Sequence, residues 1–169
     1  MANTNTASHV VHTFSPVYDQ HSKILILGTF PSVKSREGEF YYHHPQNRFW
    51  KVLSRLFEEE LPQTIPEKKQ MLYRHGTAVW DVVKSCDIVG SSDASIRNMQ
   101  PNDLSVILEQ CGILQIFTNG NKAQELYMQL CYPKTGRESI RLPSTSPANA
   151  AFSLDRLVDI WSDALSNYI

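Results

Sequence analysis

The chain has 169 residues, of which 41% are hydrophobic and 20% are charged, and its formal net charge is -1. This length suits one domain, in which folding buries roughly 68–70% of the surface of the unfolded chain. The composition excludes a disordered chain, a coiled coil and a collagen-like fibre. No apolar run approaches the roughly 20 residues of a membrane helix, and the first residues do not resemble a signal peptide, so we expect no membrane association.

The net charge near zero neither indicates nor excludes a nucleic-acid partner, because binding needs only a local basic or backbone-amide face. The three cysteines, Cys86, Cys111 and Cys131, form no CxxC pair. Their odd number and wide spacing are not typical of a disulfide framework and favour a reducing compartment. We therefore expect an intracellular, cytoplasmic protein.

The first residues of the chain, 1–12, are polar and rich in Asn and Thr, which predicts a loose tail, with a lead-in that extends to residue 22. His9 and His12 lie in this tail. Because no third ligand follows them, we expect no metal site there. A single domain is predicted for residues 23–169.

Strands and helices alternate along this domain. A continuous apolar run that ends in glycine, at residues 23–28, is typical of a strand buried on both faces of a parallel sheet. Apolar side chains recur with helical spacing in residues 49–57. The same criteria predict further strands at 77–83, 113–118 and 139–142, helices at 66–76, 101–111, 123–130 and 154–168, and a long polar loop at 84–100.

This alternation predicts the α/β class, specifically a three-layer αβα sandwich around a mostly parallel sheet of about four strands. In such sheets, ligands bind beyond the carboxyl ends of the strands. Four segments of the chain follow predicted strands and are therefore candidates for the site: Gly28–Asn47, Asp81–Asn98, Asn119–Lys122 and Pro143–Asn149.

The segment GTFPS at residues 28–32 follows the first strand directly. The glycine would let a ligand approach the backbone closely, although a plain strand-to-loop turn fits the pattern equally well. The segment FYYHHPQNRFW at residues 40–50 precedes an amphipathic helix. By position alone, Asn47 either caps this helix or points into the crevice. His43 and His44 are adjacent, so we do not expect both to face one metal ion.

The segment STSPAN at residues 144–149 makes a stiff turn after the fourth strand. Its hydroxyls and amides suit phosphate oxygens, but an ordinary Ser/Pro loop is also consistent with the pattern. Backbone amides at residues 119–122 could hold an anion at a helix start, and an ordinary strand-to-helix connection is the alternative.

Several common chemistries lack their sequence signatures in this chain. No GK[ST] follows the first glycine, so this segment is not a phosphate-binding P-loop. There is no GxSxG elbow of a serine hydrolase, no HxE and PCxxC set of a zinc deaminase, and no GxGxxG of a dinucleotide enzyme.

Residues 26–37 (ILGTFPSVKSRE), 40–50 and 144–149, taken together, resemble the uracil-DNA glycosylase superfamily. The resemblance is closest to the branch of DNA-deoxyinosine (hypoxanthine-DNA) glycosylases, and it extends from Lys23 to the end of the chain. It implies an enzyme that flips a deaminated base, hypoxanthine or uracil, out of DNA and hydrolyses its N-glycosidic bond. It also implies a monomer that needs no metal or organic cofactor and whose partner is DNA.

The resemblance assigns roles to individual residues. Asn47 is expected to be the main catalytic residue, because Phe30 stands where other branches have a water-orienting Asn or Asp. The Asn47 amide could accept from the attacking water and donate to the leaving base. The Tyr42 ring is expected to stack on the flipped base. Including Phe30 and Tyr42, the residues expected to bind the base are Gly28, Thr29, Phe30, Pro31, Tyr42, His44 and Asn119.

The loop after the fourth strand is expected to hold the DNA backbone through Ser144, Ser146, Pro147 and Asn149. Ser146 would hold a phosphate, and Asn149 would face the sugar or the base edge. Ser144 stands where several branches of the family have a histidine. Because Phe30 and Ser144 replace polar groups, the main alternative function is a catalytically silent nucleic-acid or nucleotide-binding module. A third alternative is an esterase-like hydrolase that uses Ser146 and a histidine.

Overall fold

The computed structural model of the protein describes residues 6–169, so the part of the predicted tail at 1–5 lies outside the described residues. Two sheets organise this part of the chain. One is a four-stranded parallel sheet, and the other is a three-stranded antiparallel sheet. The α/β class and the parallel sheet flanked by helices are confirmed.

The parallel sheet forms the centre of the molecule. Its strand order is β3-β2-β6-β7, where β2 is Ile24–Gly28, β3 is Thr77–Asp81, β6 is Gln115–Asn119 and β7 is Ser139–Leu142. Every residue of β2 and β3 is buried, as expected for strands that are covered on both faces. The carboxyl ends of all four strands therefore lie at one edge of the sheet, as the sequence predicts.

Three of the helices begin and end close to the predicted positions. In α2, Phe49–Leu56, the buried residues form one stripe, and in α7, Leu154–Leu165, Leu157 and Trp161 are fully buried. Thr64 caps α3, Ile65–Arg74, and Gly76 follows it with a positive φ, as the Pro and Gly signals predict. The remaining helices are α1 at Val33–Gly38, α4 at Ser105–Leu108, α5 at Asn121–Leu126, which continues through a π-helical turn at Tyr127–Cys131, and α6 at Tyr132–Thr135.

The sequence does not predict the antiparallel sheet. Its order is β1-β4-β5, with β1 at Ser8–Val11, β4 at Val83–Ile88 and β5 at Arg97–Pro101. The prediction of a long loop at 84–100 is therefore wrong where β4 and β5 form. Of the helix predicted at 101–111, only the short α4 is present. Residues 8–11 form a strand within the expected loose tail.

The physical reason for these differences is that the alternation of a half-buried strand is weak in these segments. In β4 the neighbours Ser85 and Cys86 are both buried, and β1 and β5 carry few large apolar residues. Backbone pairing stabilises this sheet: β1 and β4 are paired from Ser8 opposite Ile88 to Val11 opposite Ser85. The sheet places His12, the residue after β1, beside the end of β3.

The three cysteines are free thiols, and burial raises the pKa of Cys86 and of Cys131 to about 11. Within residues 6–169, no group of three or more His, Cys, Asp or Glu side chains could hold a metal ion. No helix in this described part combines the length and the apolar character needed to cross a bilayer.

Candidate active site

A cavity of about 350 Å³ opens at the carboxyl ends of β2, β3 and β6 and beneath the loop that follows β7. Its volume lies within the range of small-ligand pockets. Almost all of the predicted site residues line this cavity: Gly28, Thr29, Phe30, Pro31, Tyr42, His44, Asn47, Asn119, Ser144, Ser146 and Pro147.

Gly28 is required by the packing at the closed end of this cavity. A Cβ atom at this position would collide with Asp81 Oδ1 and would lie 2.9 Å from the hydroxyl oxygen of Tyr42. The groups that approach Gly28 closely are therefore side chains of the protein itself, and the approach of a ligand to this glycine stays a prediction. Phe30 is 9% exposed and gives the cavity an apolar wall.

Tyr42 occupies a strained position against α2. Its φ is +52°, in the left-handed region that is unfavourable for a bulky residue. Its ring stacks on Phe49 with a centroid distance of 3.9 Å and an interplanar angle of 20°, which leaves the opposite face for a ligand. Its buried hydroxyl has no hydrogen-bond partner among the described residues. Burial, and to a smaller extent the charge of Asp81, raises the pKa of Tyr42, so the phenol stays neutral.

The amide of Asn47 is fixed by two hydrogen bonds to the same oxygen. Its Oδ1 accepts from the backbone N–H of Phe49 at 2.9 Å and from the hydroxyl of Thr145 at 2.8 Å. The two alternatives from the sequence therefore both apply, because Asn47 satisfies a free N–H at the start of α2 and also lines the cavity. Since both lone pairs of Oδ1 are occupied, Nδ2 is the part of the amide that remains to contact a ligand.

Thr145 connects Asn47 to Asn119. The Asn119 amide donates from Nδ2 to Thr145 Oγ1 at 3.0 Å and accepts at Oδ1 from the Thr145 backbone N–H at 3.1 Å. Thr145 is fully buried. The resemblance predicts that Asn119 binds the base, whereas its side chain is engaged in holding Thr145. Thr145 lies inside the STSPAN motif, but no sequence signal distinguishes it from its neighbours there.

Arg48 holds the loop after β7 in place. Its guanidinium donates to the carbonyl oxygens of Ser146 at 2.9 Å, of Asn149 at 3.0 Å and of Phe152. Its backbone N–H donates to the carbonyl oxygen of Thr145 at 3.0 Å. A planar guanidinium can bind several oxygens at once, so a single side chain at the start of α2 fixes the whole loop. No sequence signal predicts this role of Arg48.

Within this loop, three predicted residues have different surroundings. Ser144 Oγ accepts from the backbone N–H of Ser146, and Ser146 Oγ accepts from that of Ala148, so the hydroxyl proton of Ser146 remains available. Asn149 is expected to face the sugar or base edge, but its Nδ2 donates to the Ser144 carbonyl oxygen at 3.0 Å, and it is absent from the cavity lining. Pro147 lies at the rim of the cavity.

The positions of the histidines do not support the esterase-like alternative. His44 lines the cavity and accepts at Nδ1 from the backbone N–H of Gln46 at 3.1 Å, so a neutral His44 ring carries its proton on Nε2. No histidine among residues 6–169 hydrogen-bonds to Ser146, and the esterase-like alternative lacks the nucleophile–base contact that it requires.

One lining residue of the cavity, Asp81, forms a buried pair with His12 that the sequence does not predict. His12 Nε2 lies 2.9 Å from Asp81 Oδ2, and the two side chains are 2% and 5% exposed. Asp81 is the last residue of β3 and lines the cavity. The strand-end rule includes Asp81 in one of the four candidate segments, but no sequence signal brings His12 to it, because their contact depends on the unexpected antiparallel sheet.

Comparisons with known proteins indicate the family of this chain. The profile of the family described as the uracil DNA glycosylase superfamily matches residues 15–165. A hypoxanthine DNA glycosylase of Methanosarcina acetivorans is 37% identical over 145 residues, which are 85% of this chain and 90% of that protein. A hypoxanthine DNA glycosylase of Methanosarcina barkeri is 32% identical over 153 residues, which cover 89% and 95% of the two chains.

The fold also resembles a solved structure. The solution NMR structure of a candidate uracil DNA glycosylase from Methanosarcina acetivorans superimposes with a TM-score of 0.77 at 31% identity. The superposition covers 96% of this chain and 97% of that one. The shared fold therefore extends over nearly the whole length of both proteins.

Proposed function

This chain belongs to the uracil DNA glycosylase superfamily, and on that premise we propose that it is a DNA glycosylase that excises a deaminated base, mainly hypoxanthine and to a lesser extent uracil. The observation that carries the proposal is the convergence of three separate motifs on one cavity, where Asn47 is fixed by Thr145 and Phe49. The curated relatives at 37% and 32% identity are hypoxanthine DNA glycosylases, which supports the choice of base.

The reaction requires the target base to leave the double helix. The cavity is large enough for a small ligand and is too narrow for a duplex, so the nucleotide must be flipped into it. Tyr42 has one ring face covered by Phe49, and the other face is the surface on which the flipped base stacks. Such stacking contributes about 1–3 kcal/mol per base.

The chemical step breaks the bond between C1′ of the deoxyribose and the base nitrogen. The bonding electron pair leaves with the base, the sugar becomes oxocarbenium-like, and a water oxygen forms the new bond to C1′ while its proton passes to solvent. A group that donates a hydrogen bond to the departing base stabilises the negative charge that develops there.

We assign this donor to Asn47. Its Oδ1 is occupied by Thr145 and Phe49, so the amide acts through Nδ2, as a donor, and not through Oδ1 as the acceptor of the attacking water. This assignment keeps Asn47 as the main catalytic residue but removes one of the two functions that the sequence suggests for it. A neutral amide needs no change of protonation state to act in this way.

The loop after β7 is proposed to hold the DNA backbone. Its backbone is fixed by Arg48, and the hydroxyl of Ser146 can donate to a phosphate oxygen at the rim of the cavity. The residues to which we assign roles, Tyr42, Asn47 and Ser146, line one cavity of this chain, and the proposed chemistry requires no residue from a second copy. We propose a monomer as the active form, and we propose that it works in the cytoplasm on chromosomal DNA.

The decisive experiment uses end-labelled oligonucleotides that each contain one hypoxanthine, uracil, xanthine or mismatched thymine, followed by alkali to cut abasic sites. We expect cleavage at hypoxanthine in the wild type and a loss of about 10²–10³ in the single-turnover rate for Asn47→Ala. Asn167→Ala, an exposed asparagine after α7, is the matched control and should retain the full rate.

Two results would contradict the proposal. A wild-type protein that binds these oligonucleotides without releasing any base would be the catalytically silent module. A well-folded Asn47→Ala variant that cleaves within threefold of the wild type would show that Asn47 acts only as a cap of α2, since a lost cap costs about 0.5–2 kcal/mol of stability and leaves the folded enzyme active.

A further inference from the structure

The pair formed by His12 and Asp81 lies at the closed end of the cavity. Asp81 is 4% exposed, and its Oδ1 lies beside Gly28, at the end of β2. The residues of the loop after β7 that line the cavity include Ser146 and Ala148, which are partly or fully exposed at its rim. Because a flipped base enters ahead of its sugar and phosphate, Asp81 faces the far edge of the base and not the glycosidic bond.

The two oxygens of Asp81 have different partners. His12 Nε2 lies 2.9 Å from Oδ2, while Oδ1 lies beside Gly28, a residue that also lines the cavity. The position of Asp81 is fixed further by Asn102, whose Nδ2 donates to the Asp81 backbone carbonyl at 2.9 Å. An ionised carboxylate only accepts hydrogen bonds, so the cavity presents one fixed acceptor to the base edge. Asp93, a second carboxylate of the lining, is exposed at the rim.

His12 reaches this position from β1. Its ring is packed among aromatic side chains, with centroid distances of 4.4 Å to Phe14 and 5.9 Å to Tyr41, and an edge contact of 6.2 Å to Phe30. Its backbone N–H donates to the carbonyl oxygen of Lys84 in β4 at 2.7 Å. The antiparallel sheet thus positions the buried ring of His12 so that its Nε2 can donate to the buried carboxylate of Asp81.

On the proposed function, we infer that Asp81 sets the preference of this enzyme for hypoxanthine over uracil and xanthine, and that His12 is the positioning residue for Asp81. All three bases carry an imino N–H that can donate to Oδ1. In hypoxanthine this N–H is flanked by one carbonyl group and one C–H group. In uracil and xanthine it is flanked by two carbonyl groups, and the second carbonyl oxygen faces the carboxylate with the same sign of partial charge.

Adenine is disfavoured for a related reason. Its N1 is an acceptor and would face Asp81 Oδ1 without a proton between them, which leaves two buried acceptors unpaired. Discrimination by unpaired buried groups is stronger than discrimination by shape alone. Guanine shares the N1–H of hypoxanthine, so Asp81 does not separate these two, and the additional amino group of guanine must be excluded by the shape of the cavity.

The test measures single-turnover rates and half-saturating enzyme concentrations for hypoxanthine, uracil and xanthine in the same oligonucleotide. Asp81→Asn replaces one acceptor by an amide that can also donate to a carbonyl group. We expect the ratio of hypoxanthine to uracil excision, and of hypoxanthine to xanthine excision, to fall by about ten- to a hundredfold. His12→Phe keeps the aromatic packing and removes the donor, and it should shift both ratios in the same direction by a smaller factor.

The matched controls come from an exposed His–Asp pair that joins β1 and β4. His9 Nδ1 lies 2.9 Å from Asp87 Oδ1, with side chains that are 63% and 30% exposed. Asp87→Asn and His9→Phe should leave all rates and ratios unchanged. Folding of each variant is checked by its circular dichroism spectrum and its unfolding midpoint.

The outcomes separate this inference from the proposed function. If the wild type excises hypoxanthine and folded Asp81→Asn loses activity equally on all three bases, the pair is structural and the inference is wrong, while the proposed function stands. If Asp81→Asn does not fold, unchanged ratios in His12→Phe also show that the inference is wrong. If the wild type excises no base, the proposed function itself fails.

Discussion

The hydroxyl of Thr145 donates to Asn47 Oδ1 across 2.8 Å, and this bond joins the loop after β7 to the start of α2. Thr145 is itself held by Asn119, whose amide makes two hydrogen bonds with it. The three residues form a relay in which each bond polarises the next. The orientation of the catalytic amide therefore depends on two residues that need not touch the substrate.

This relay makes Thr145 a positioning residue for Asn47. Thr145→Val keeps the shape and removes the hydroxyl, so that Asn47 Oδ1 is held by the Phe49 N–H alone; we expect the single-turnover rate to fall by roughly tenfold or more. Thr145→Ser restores the donor and should recover most of the activity. A valine variant that is as active as the serine variant, at equal stability, would show that the hydroxyl does not position the amide.

Tyr42 is predicted to stack on the flipped base. Tyr42→Ala removes about 1–3 kcal/mol of stacking and should slow single-turnover excision by about ten- to a hundredfold. Tyr42→Phe keeps the ring and removes a buried hydroxyl that has no partner among the described residues, so it should keep activity and at least the wild-type unfolding midpoint. Activity per folded molecule decides the question: an alanine variant that is merely less stable would show Tyr42 to be a packing residue of Phe49.

Arg48 is predicted to hold the DNA-binding loop through its guanidinium. Arg48→Lys keeps the charge but cannot bind the carbonyl oxygens of Ser146, Asn149 and Phe152 together. We expect a loss of about 1–3 kcal/mol in the free energy of unfolding and weaker binding to DNA. Arg55→Lys, on the exposed side of α2, is the control and should change neither measurement by more than about 0.5 kcal/mol.

Ser146 is predicted to donate to a phosphate of the bound DNA. Ser146→Ala should weaken binding by about three- to tenfold, as expected for one hydrogen bond of about 0.5–1.5 kcal/mol. The dependence of affinity on salt should not change, because a neutral hydroxyl displaces no counterion. Equal affinities of the variant and the wild type in a fluorescence-anisotropy titration would assign Ser146 to the loop structure alone.

The enzyme is predicted to use water and no covalent intermediate. No lysine contributes to the cavity lining among the described residues, so no amine is placed to attack C1′. Reaction with hypoxanthine-containing DNA in the presence of borohydride should give no trapped protein–DNA complex. A trapped band on a denaturing gel would overturn the hydrolytic mechanism.

The parallel sheet and its flanking helices could be predicted from the sequence because their signals are local. The apolar residues of β2 are buried on both faces, and the apolar stripe of α2 has helical spacing. Each pattern therefore indicates both the type of element and the face that is buried. The rule that ligands bind at the carboxyl ends of parallel strands then places the motif residues at one cavity, from Gly28 to Ser146.

The tertiary structure alone decided which atoms of these residues remain available. Asn47 Oδ1, the Asn119 amide and the Asn149 amide are all bound to neighbouring groups, and those partners are up to 98 positions away in the sequence. The contact of His12 with Asp81 spans 69 positions and depends on a sheet whose strands bury few large apolar side chains. Hydrogen bonds between distant segments leave no periodicity in a sequence, whereas burial of a helix or strand face does. The sequence therefore determined the parallel sheet, its main flanking helices and the location of the site, and the tertiary contacts determined the antiparallel sheet and how each side chain can act.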